Sequence, residues 1–399
     1  MTGPLSGLRI LDFTTMIPGP VATLYLADMG AEVLKIVSRS RPDINTQFPP
    51  FLPGDGRSAN GAYLGRNKRS MFLNIKDRRA QQIVHKLIMH YDILIEQFRP
   101  GVMAKAGLDY ETLRLVNPAL IYCSITSYGQ TGPLAARAGH DINYMARSGI
   151  MSYSGRKGGG PSPSGAFIGD TSGSVNALVG ILAAEIGRSK TGQGQYIDIS
   201  MTDSLIAFNY RAAASLIDGT EPDYESTIFN GGSVYDYYET KDGKYISVGS
   251  LEPKFSAVFF EAIGRPDLIT PQGIMPANVK EVKKQIRDIF KTKSRDDWMA
   301  IFNRVDACVE PVLTVHEALN NEQSAEREMV VEIDLPDGGR VRQPACPSNF
   351  PTTNLSTGKS AFPTVLTPKK FCRNLATAKT RLPKWKTQVF LIELFELHF

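Results

Sequence analysis

The sequence predicts an α/β protein with a large domain built on a parallel sheet and a smaller second domain. Over about the first two hundred residues, short apolar runs typical of buried strands alternate with segments of helical periodicity. The composition shifts near residues 218–230, and an antiparallel hairpin pattern follows the shift. The chain of 399 residues is also long enough for two domains with a large core.

The elements of the large domain follow in chain order. Its expected strands are the apolar runs at residues 8–13, 32–37, 70–75, 93–96, 120–126 and 195–199. Its expected helices span residues 20–29, 77–91, 113–116 and 172–186, the first of them with Pro20 near its first turn. Strands that alternate with helices predict a parallel sheet covered on both faces, and ligands usually bind at the carboxyl ends of such strands.

The chain is expected to divide into four parts. These are a large α/β domain at residues 1–224, a small domain at 225–330, a return to the large domain at 331–353 and an atypical basic tail at 354–399. Within the small domain, two strands joined by Lys241-Asp242-Gly243 predict a hairpin, because Asp-Gly suits a tight hairpin turn.

Composition and charge exclude several classes of protein. Hydrophobic residues make up 42% of the chain and charged residues 21%, with no apolar run long enough to cross a membrane and no signal peptide at the start. The tail holds eight basic and two acidic side chains, so the rest of the chain is close to neutral despite the net charge of +5. No nucleic-acid-binding motif accompanies this charge, and we expect no nucleic-acid partner.

Cysteine usage indicates a reducing compartment. The four cysteines lie far apart and form no CxxC pair, which argues against both a zinc site and a disulfide framework. We therefore expect a cytoplasmic protein, or a peroxisomal or mitochondrial one if its source is eukaryotic. The last three residues, Leu397-His398-Phe399, are not a peroxisomal signal of the Ser-Lys-Leu kind.

Two basic turns are candidates for phosphate binding. The chain contains neither GxxxxGK[ST] nor GxGxxG, so a P-loop or a dinucleotide fingerprint is not expected. Arg66, Lys68 and Arg69 form a short basic loop before a strand, and Arg99 lies in a turn that follows another strand. Such charges are usually solvated surface, but Arg and Lys also clamp phosphorylated ligands, and the sequence leaves both interpretations open.

His140 and Asp170 are candidates for proton transfer. His140 lies in a glycine-flanked polar loop, and an imidazole exchanges protons at modest cost near neutral pH. Asp170 follows Gly169 and opens a run of small residues before a helix, so two loops could bring an imidazole and a carboxylate to one substrate. A lone loop histidine is nevertheless more often structural.

Glu252 has two interpretations. It precedes a helix that has proline in its first turn, where a carboxylate is favoured by the helix dipole. Alternatively, it orients another acid or shares a proton with it. The residues by themselves do not decide between these roles.

Together these segments resemble the family III CoA-transferases and, within them, the alpha-methylacyl-CoA racemases. The matching segments follow one another from Leu5 to about Thr353 and include residues 18–20, 27–33, 65–70, 98–103, 128–133, 138–144, 191–194, 249–255 and 306–314. The resemblance implies a Rossmann-like large domain, a smaller α+β domain and an interlocked homodimer with active sites at its interface.

Within this superfamily, position 140 separates two branches. Transferases typically carry Tyr there, whereas racemases carry Ala-Gly-His-Asp-Ile-Asn-Tyr, which this chain reproduces at residues 138–144. The resemblance implies that Asp170 is acylated in transferases and acts as an acid/base in racemases. It further implies that Glu252 pairs with this aspartate.

The resemblance also implies ligands and chemistry. Lys68, Arg69 and Arg99 match positions that contact CoA, and Arg66 belongs to the same basic loop. The expected reaction is inversion of the carbon alpha to an acyl-CoA thioester through an enolate, with His140 as the partner of the aspartate. Backbone N–H groups near the following helix start would stabilise the enolate oxygen. No metal or redox cofactor is required, because CoA is part of the substrate.

Two departures from the family pattern and two rival functions accompany this expectation. An Arg-Pro pair that contacts CoA in the family matches either Arg39 or Arg41, and residues 354–399 lack the usual Gly-rich ending and helix. One rival is a CoA-transferase with an acyl-Asp170 intermediate, and the other is a non-catalytic CoA-binding protein. The acyl group stays open, because acyl pockets are lined by generic apolar residues.

Overall fold

A computed structural model describes residues 3–40, 42–53, 56–335, 338–350 and 364–366. Seven of its strands form one parallel sheet. The strands, in chain order, are β1 (Arg9–Asp12), β2 (Glu32–Val37), β3 (Lys68–Phe72), β4 (Ile93–Glu96), β5 (Ile121–Thr126), β6 (Gly155–Arg156), β7 (Gly160–Pro161), β8 (Tyr196–Ser200), β9 (Asp236–Glu239), β10 (Tyr245–Val248), β11 (Val309–Pro311), β12 (Val330–Asp334), β13 (Arg340–Pro344) and β14 (Thr364–Leu366).

The helices cover the sheet and build most of the second domain. In chain order they are α1 (Pro18–Asp28), α2 (Ala59–Gly65), α3 (Arg78–Ile88), α4 (Val102–Lys105), α5 (Tyr110–Leu113), α6 (Asp141–Arg147), α7 (Ile168–Thr191), α8 (Met201–Phe208), α9 (Tyr210–Asp218), α10 (Pro253–Ala262), α11 (Val279–Phe290), α12 (Arg295–Phe302), α13 (Val315–Leu319) and α14 (Glu322–Glu326). No helix in the described part of the chain combines the length and apolar character needed to cross a membrane.

The large sheet has the strand order β14-β3-β2-β1-β4-β5-β8, and every neighbouring pair is parallel. The chain first winds outward from β1 through β2 to β3 and then returns to the other side of β1 with β4. This 3-2-1-4-5 order is that of a Rossmann-like sheet, and it confirms the predicted fold class. The order reverses between β1 and β4, and ligands of such sheets usually bind at the carboxyl ends of the strands at this switch point.

Both faces of the sheet are buried, which explains why its strands read as continuous apolar runs. Side chains alternate between the faces: Ile10 and Ile95 point to a core shared with α1 and α7, whereas Leu11 and Leu94 point to a core shared with α3. The buried residues of α3 recur at helical spacing, and Asp77 caps its first turn by accepting a hydrogen bond from the backbone N–H of Arg79.

The smaller domain has a separate apolar core. Strands β9 and β10 form the predicted antiparallel hairpin, and β11 adds a third strand beside β10. Their buried side chains pack against α10, α11 and α12, around an aromatic cluster that includes Phe259, Phe290 and Trp298. Ser294 begins α12 by capping it through the backbone N–H of Asp297.

The last described segments return to the large domain. The antiparallel pair β12 and β13 places Ile333 in a small core with Leu52 and Ala62 of the large domain. Strand β14 then pairs in parallel with β3 and forms one edge of the large sheet. This strand lies inside the predicted basic tail, and the remaining residues of that tail lie outside the described part of the chain.

One helix begins earlier than predicted, and this changes the position of a candidate residue. The long helix α7 begins at Ile168, four residues before the expected start at residue 172. Its first turn is closed by a hydrogen bond from the N–H of Thr171 to the carbonyl oxygen of Phe167. Asp170 therefore lies in the first turn of a helix and not in a loop.

Candidate active site

His140 is held at the start of a helix. It is the N-cap residue of α6, and its backbone is extended with φ −129° and ψ 173°. Its N–H donates to Asn143 Oδ1 at 3.0 Å, and the N–H of Asn143 donates back to its carbonyl oxygen at 2.8 Å. These reciprocal bonds set the backbone of His140, while its side chain is exposed to solvent and to ligands.

Asp170 is placed next to this helix start by close packing. A Cβ atom built on Gly169 would lie 3.0 Å from Asp141 Oδ1 and 3.2 Å from Tyr144 Cδ2, so the first turn of α7 rests directly on α6. Asp170 itself is partly buried. The structure thus brings together two residues that lie thirty positions apart in the sequence.

Asp141 links the two candidates, a role that its place in the sequence did not indicate. It follows His140 in the chain, and its Oδ1 accepts a hydrogen bond of 3.0 Å from the N–H of Asp170. Its position within the 138–144 motif was visible in the sequence. Its contact with α7 was not, because that contact depends on the packing of two helices.

Burial raises the pKa of Asp170 to about 7, and the negative charge of nearby Asp141 adds to the rise. A carboxyl group with this pKa is present in both protonation states at neutral pH. It can therefore either accept or donate a proton without a large cost, which is the property that general acid–base catalysis requires.

The N–H of Asp170 already has a partner within the chain. We expect backbone N–H groups of Asp170 or its neighbours to stabilise an enolate oxygen, and of these the N–H of Asp170 donates to Asp141. The positive end of the helix dipole still lies at this first turn. Stabilisation of an anion there therefore depends on the helix end as a whole and not on a free amide of Asp170.

Glu252 lies in the small domain and makes no contact with this pair among the hydrogen bonds and ion pairs of the described residues. It is the exposed N-cap residue of α10, with extended backbone at φ −75° and ψ 148°. Among the described residues, no hydrogen bond or ion pair joins Glu252 to His140 or Asp170. The expected pairing of Glu252 with Asp170 is therefore not formed within one chain and stays a prediction.

Two of the five basic residues expected to hold CoA lie in the interior. Arg66 is fully buried, where it makes a bidentate ion pair with Asp28 and donates to the carbonyl oxygen of Pro344 at 2.6 Å. Lys68 is also buried and donates to the hydroxyl of Thr23 at 2.7 Å. As placed here, both side chains hold the domain together and present no charge to a ligand.

The buried Lys68 also lies beside the end of β1. Its Nζ lies 3.7 Å from Asp12 Oδ2, at the carboxyl end of β1. Burial lowers the pKa of Lys68 to about 7, although the charge of Asp12 opposes that change. The other oxygen of Asp12 accepts hydrogen bonds from the N–H and hydroxyl of Thr14, which fixes the loop that leaves β1.

The three remaining basic residues lie at opposite ends of the strands. Arg39 follows the carboxyl end of β2 and lies 4.7 Å above the ring of Phe72, and Arg99 is exposed just after β4. Arg69 lies near the amino end of β3, where it forms an ion pair with Glu32. Of these three, Arg39 and Arg99 lie at the carboxyl ends of the strands, where ligands of such sheets bind. Arg41, the alternative to Arg39, lies outside the described residues.

Comparison with known proteins agrees with the fold and with the matched motifs. A family model described as CoA-transferase family III matches residues 5–365. The chain is 35% identical over 327 residues to alpha-methylacyl-CoA racemase of Mus musculus, which covers 81% of each chain. It is 32% identical over 366 residues to succinyl-CoA:glutarate CoA-transferase of Mus musculus, covering 89% of this chain and 83% of the relative.

A solved structure gives the same result. The crystal structure of a CAIB/BAIF family protein from Brucella suis superposes with a TM-score of 0.80 at 26% sequence identity, covering 95% of this chain and 100% of that one. The predicted resemblance is confirmed, and the match extends into β14, beyond the expected end near residue 353. The chain belongs to CoA-transferase family III.

Proposed function

We propose that this protein is a racemase that inverts the carbon alpha to the thioester of 2-methylacyl-CoA. The observation that carries the proposal is the partly buried Asp170, whose pKa is raised to about 7 and whose helix packs against the helix capped by His140. A transferase that is acylated on this aspartate needs it ionised as a nucleophile. A raised pKa works against that role and favours proton transfer.

The reaction needs one group on each face of the alpha carbon. One of His140 and Asp170 removes the alpha proton, and the electron pair moves to the thioester oxygen as an enolate. The other group donates a proton to the opposite face, and the carbonyl forms again. After one turnover the two groups have exchanged protonation states, so the reverse reaction restores them.

CoA is carried by the substrate, and its phosphates are held by Arg39 and Arg99 at the carboxyl edge of the sheet. Both side chains are exposed there, and arginine binds phosphate in a bidentate manner. Arg69 is not assigned to CoA, because it lies at the other edge in an ion pair with Glu32. Arg66 and Lys68 are not assigned either, because they are buried.

The active protein is a homodimer, in which Glu252 of one copy reaches Asp170 of the other. Exposed apolar side chains support an interface: Val175, Val179 and Ile186 form a stripe on α7, and Leu216 and Ile217 on α9 are 88% and 87% exposed. A Val179→Glu variant should shift the sedimentation coefficient from that of a dimer to that of a monomer and abolish activity. A wild-type monomer with full activity would refute the homodimer.

The rival function is CoA transfer between carboxylic acids through an acyl-Asp170 intermediate. Relatives named as CoA-transferases are about as similar to this chain as those named as racemases, at 32% and 35% identity. The two functions differ in what they need. A transferase requires an acceptor carboxylic acid, whereas a racemase exchanges the alpha proton with solvent when the thioester is the only substrate.

The test is exchange in D2O with one enantiomer of 2-methylhexanoyl-CoA and no acceptor acid. Mass spectrometry should detect one deuteron at the alpha carbon, and chiral analysis should detect the other enantiomer. We expect His140→Ala and Asp170→Asn to lower the rate at least 100-fold, a loss typical for removal of a general acid or base. His316→Ala, at an exposed histidine of α13, is the matched control and should retain full activity.

Two results would contradict the proposal. The first is CoA transfer to succinate or acetate with a trappable acyl group on Asp170 and no alpha exchange, which would establish the transferase. The second is calorimetric binding of CoA without either reaction, which would indicate a non-catalytic CoA-binding protein.

A further inference from the structure

Each of the two proposed acid/base residues directly follows a glycine, and both glycines pack against the same aromatic ring. Gly139 precedes His140, and Gly169 precedes Asp170. A Cβ atom on Gly139 would lie 2.7 Å from Tyr144 Cε1, and one on Gly169 would lie 3.2 Å from Tyr144 Cδ2. These two ring carbons lie at opposite corners of the phenol, so the ring touches both glycine backbones at once.

The hydroxyl of Tyr144 adds a directional contact to the same loop. It donates to the carbonyl oxygen of Gly139 at 2.5 Å. Because a phenol has one proton to donate, the 3.1 Å contact with Ser127 Oγ is a hydrogen bond that the serine donates to the tyrosine oxygen. Burial raises the pKa of Tyr144 to about 12, so its hydroxyl stays a donor across the working pH range.

The ring itself cannot move freely. Tyr144 is 3% exposed and belongs to the core shared by the sheet, α1 and α7. The ring of Tyr128 packs edge-on against it, with centroids 5.9 Å apart. A buried ring in one rotamer therefore serves as a rigid spacer between the loop of His140 and the first turn of α7.

We propose that Tyr144 is a positioning residue that sets the spacing of His140 and Asp170: its hydroxyl anchors the loop of His140, and its ring supports the first turn of the helix that carries Asp170. The proposal rests on the acid/base function of these two residues. Its two parts are separable, because Tyr144→Phe removes only the hydroxyl and Tyr144→Leu removes the ring as well.

The first experiment uses Tyr144→Phe in the full-length protein. Hydrogen–deuterium exchange of the peptide that spans residues 128–145 should become faster, because the Gly139 carbonyl loses its donor. The kcat for alpha-proton exchange with 2-methylhexanoyl-CoA should fall about 10-fold while KM changes less than about twofold, because alignment and not binding is affected. The matched control is Tyr122→Phe, which removes another buried tyrosine hydroxyl that donates to a backbone carbonyl, that of Leu108.

The second experiment uses Tyr144→Leu and follows the Asp170 carboxyl by carbon-13 NMR, with Asp170→Asn for assignment. Loss of the ring should admit water beside the carboxyl and lower its pKa by about one unit, whereas Tyr122→Phe should leave it unchanged. Neither this titration nor the hydrogen exchange depends on catalysis. An inactive wild-type protein would therefore refute the proposed function without affecting the test of Tyr144.

Three results would overturn the positioning role. They are unchanged hydrogen exchange in Tyr144→Phe, an unchanged pKa of Asp170 in Tyr144→Leu, and losses of activity equal to those of Tyr122→Phe. If Tyr144→Leu does not fold, the Tyr144→Phe protein still tests the positioning role of Tyr144, because it keeps the ring and the core packing.

Discussion

At the scale of single residues, Asp170 combines a cost in stability with a proposed use in catalysis. Folding raises its pKa to about 7, mainly through burial, so the native state holds the proton more tightly than the unfolded chain does. The protonated Asp170 carboxyl therefore stabilises the native state fully below about pH 4, and this stabilisation is lost as the pH rises through about 7. This is the opposite of the usual behaviour of a carboxylate in a salt bridge.

We expect Asp170→Asn to be more stable than the wild type at pH 8, by up to about 4 kcal/mol. Asparagine resembles the protonated acid and does not pay the cost of burying a charge. Urea unfolding measured from pH 4 to pH 8 should show the two proteins converging toward the acid end. A stability difference that does not vary with pH would contradict the raised pKa.

Asp141 should tune the pH dependence of the reaction. Because its charge adds to the rise in the pKa of Asp170, Asp141→Asn should lower that pKa, while burial keeps it above its ordinary value. In the direction in which Asp170 removes the proton, kcat/KM falls as the pH drops through about 7, and the variant should move this limb to lower pH. The control is Asp109→Asn, at the N-cap of α5. If the acidic limb of the kcat/KM profile stays in place in Asp141→Asn, Asp141 does not influence the pKa of Asp170.

At the scale of elements, α7 is built to approach its neighbours closely on one side. A Cβ atom on Gly173 would lie 2.6 Å from Met201 Cγ, whereas one on Gly187 would meet no atom within 4 Å. The same helix thus carries one glycine that packing requires and one that it does not. The difference follows from the position of α8, which begins at Met201 and contacts α7.

Replacing these two glycines by alanine should have opposite effects on the free energy of unfolding. Gly173→Ala should lose about 1–3 kcal/mol, because Met201 has to move within a packed core. Gly187→Ala should gain about 0.5–1 kcal/mol, because alanine favours a helix interior and the space is open. Thermal and urea unfolding of the pair would check the prediction, and equal losses would contradict the packing of α7 on α8.

At the scale of the whole molecule, one buried carboxylate ties the two domains together. Asp236, on β9 of the small domain, accepts hydrogen bonds from Arg156 of β6 at 2.6 Å and forms an ion pair with Lys283 of α11 at 2.7 Å. Although burial opposes it, these cations lower the pKa of Asp236 below its usual value. Arg156 is half exposed and also pairs with Glu225.

Removing the central carboxylate, Asp236, should lower the free energy of unfolding more than removing the peripheral one, Glu225. Asp236→Asn should destabilise the protein by about 3 kcal/mol, because it leaves Lys283 as a buried cation without a carboxylate. Glu225→Gln should cost less than about 1 kcal/mol, because it removes only the partner of a half-exposed arginine. Urea unfolding of both variants provides the measurement, and equal costs would show that burial of Lys283 is incomplete.

Much of the large domain was predictable from the sequence, because its strands are buried on both faces and appear as uninterrupted apolar runs. The strands ending at Val37 and Glu96 agree with the prediction at both ends. The start of α7 was not predictable, since Gly169 and Asp170 are typical of a loop and become helical through packing on α6. Strand β14 was missed for a related reason: backbone pairing with β3 creates it.

The alternation of strands and helices, the family motifs and the two candidate acid/base residues can all be recognised along the chain. Three features emerge only on folding: Asp141 joins the two candidates, Arg66 and Lys68 are interior, and Arg39 and Arg99 lie on the carboxyl-end side of the sheet. The physical reason is that periodicity and motifs record neighbours along the chain. Burial, pKa and access to a ligand depend instead on neighbours that only folding brings together.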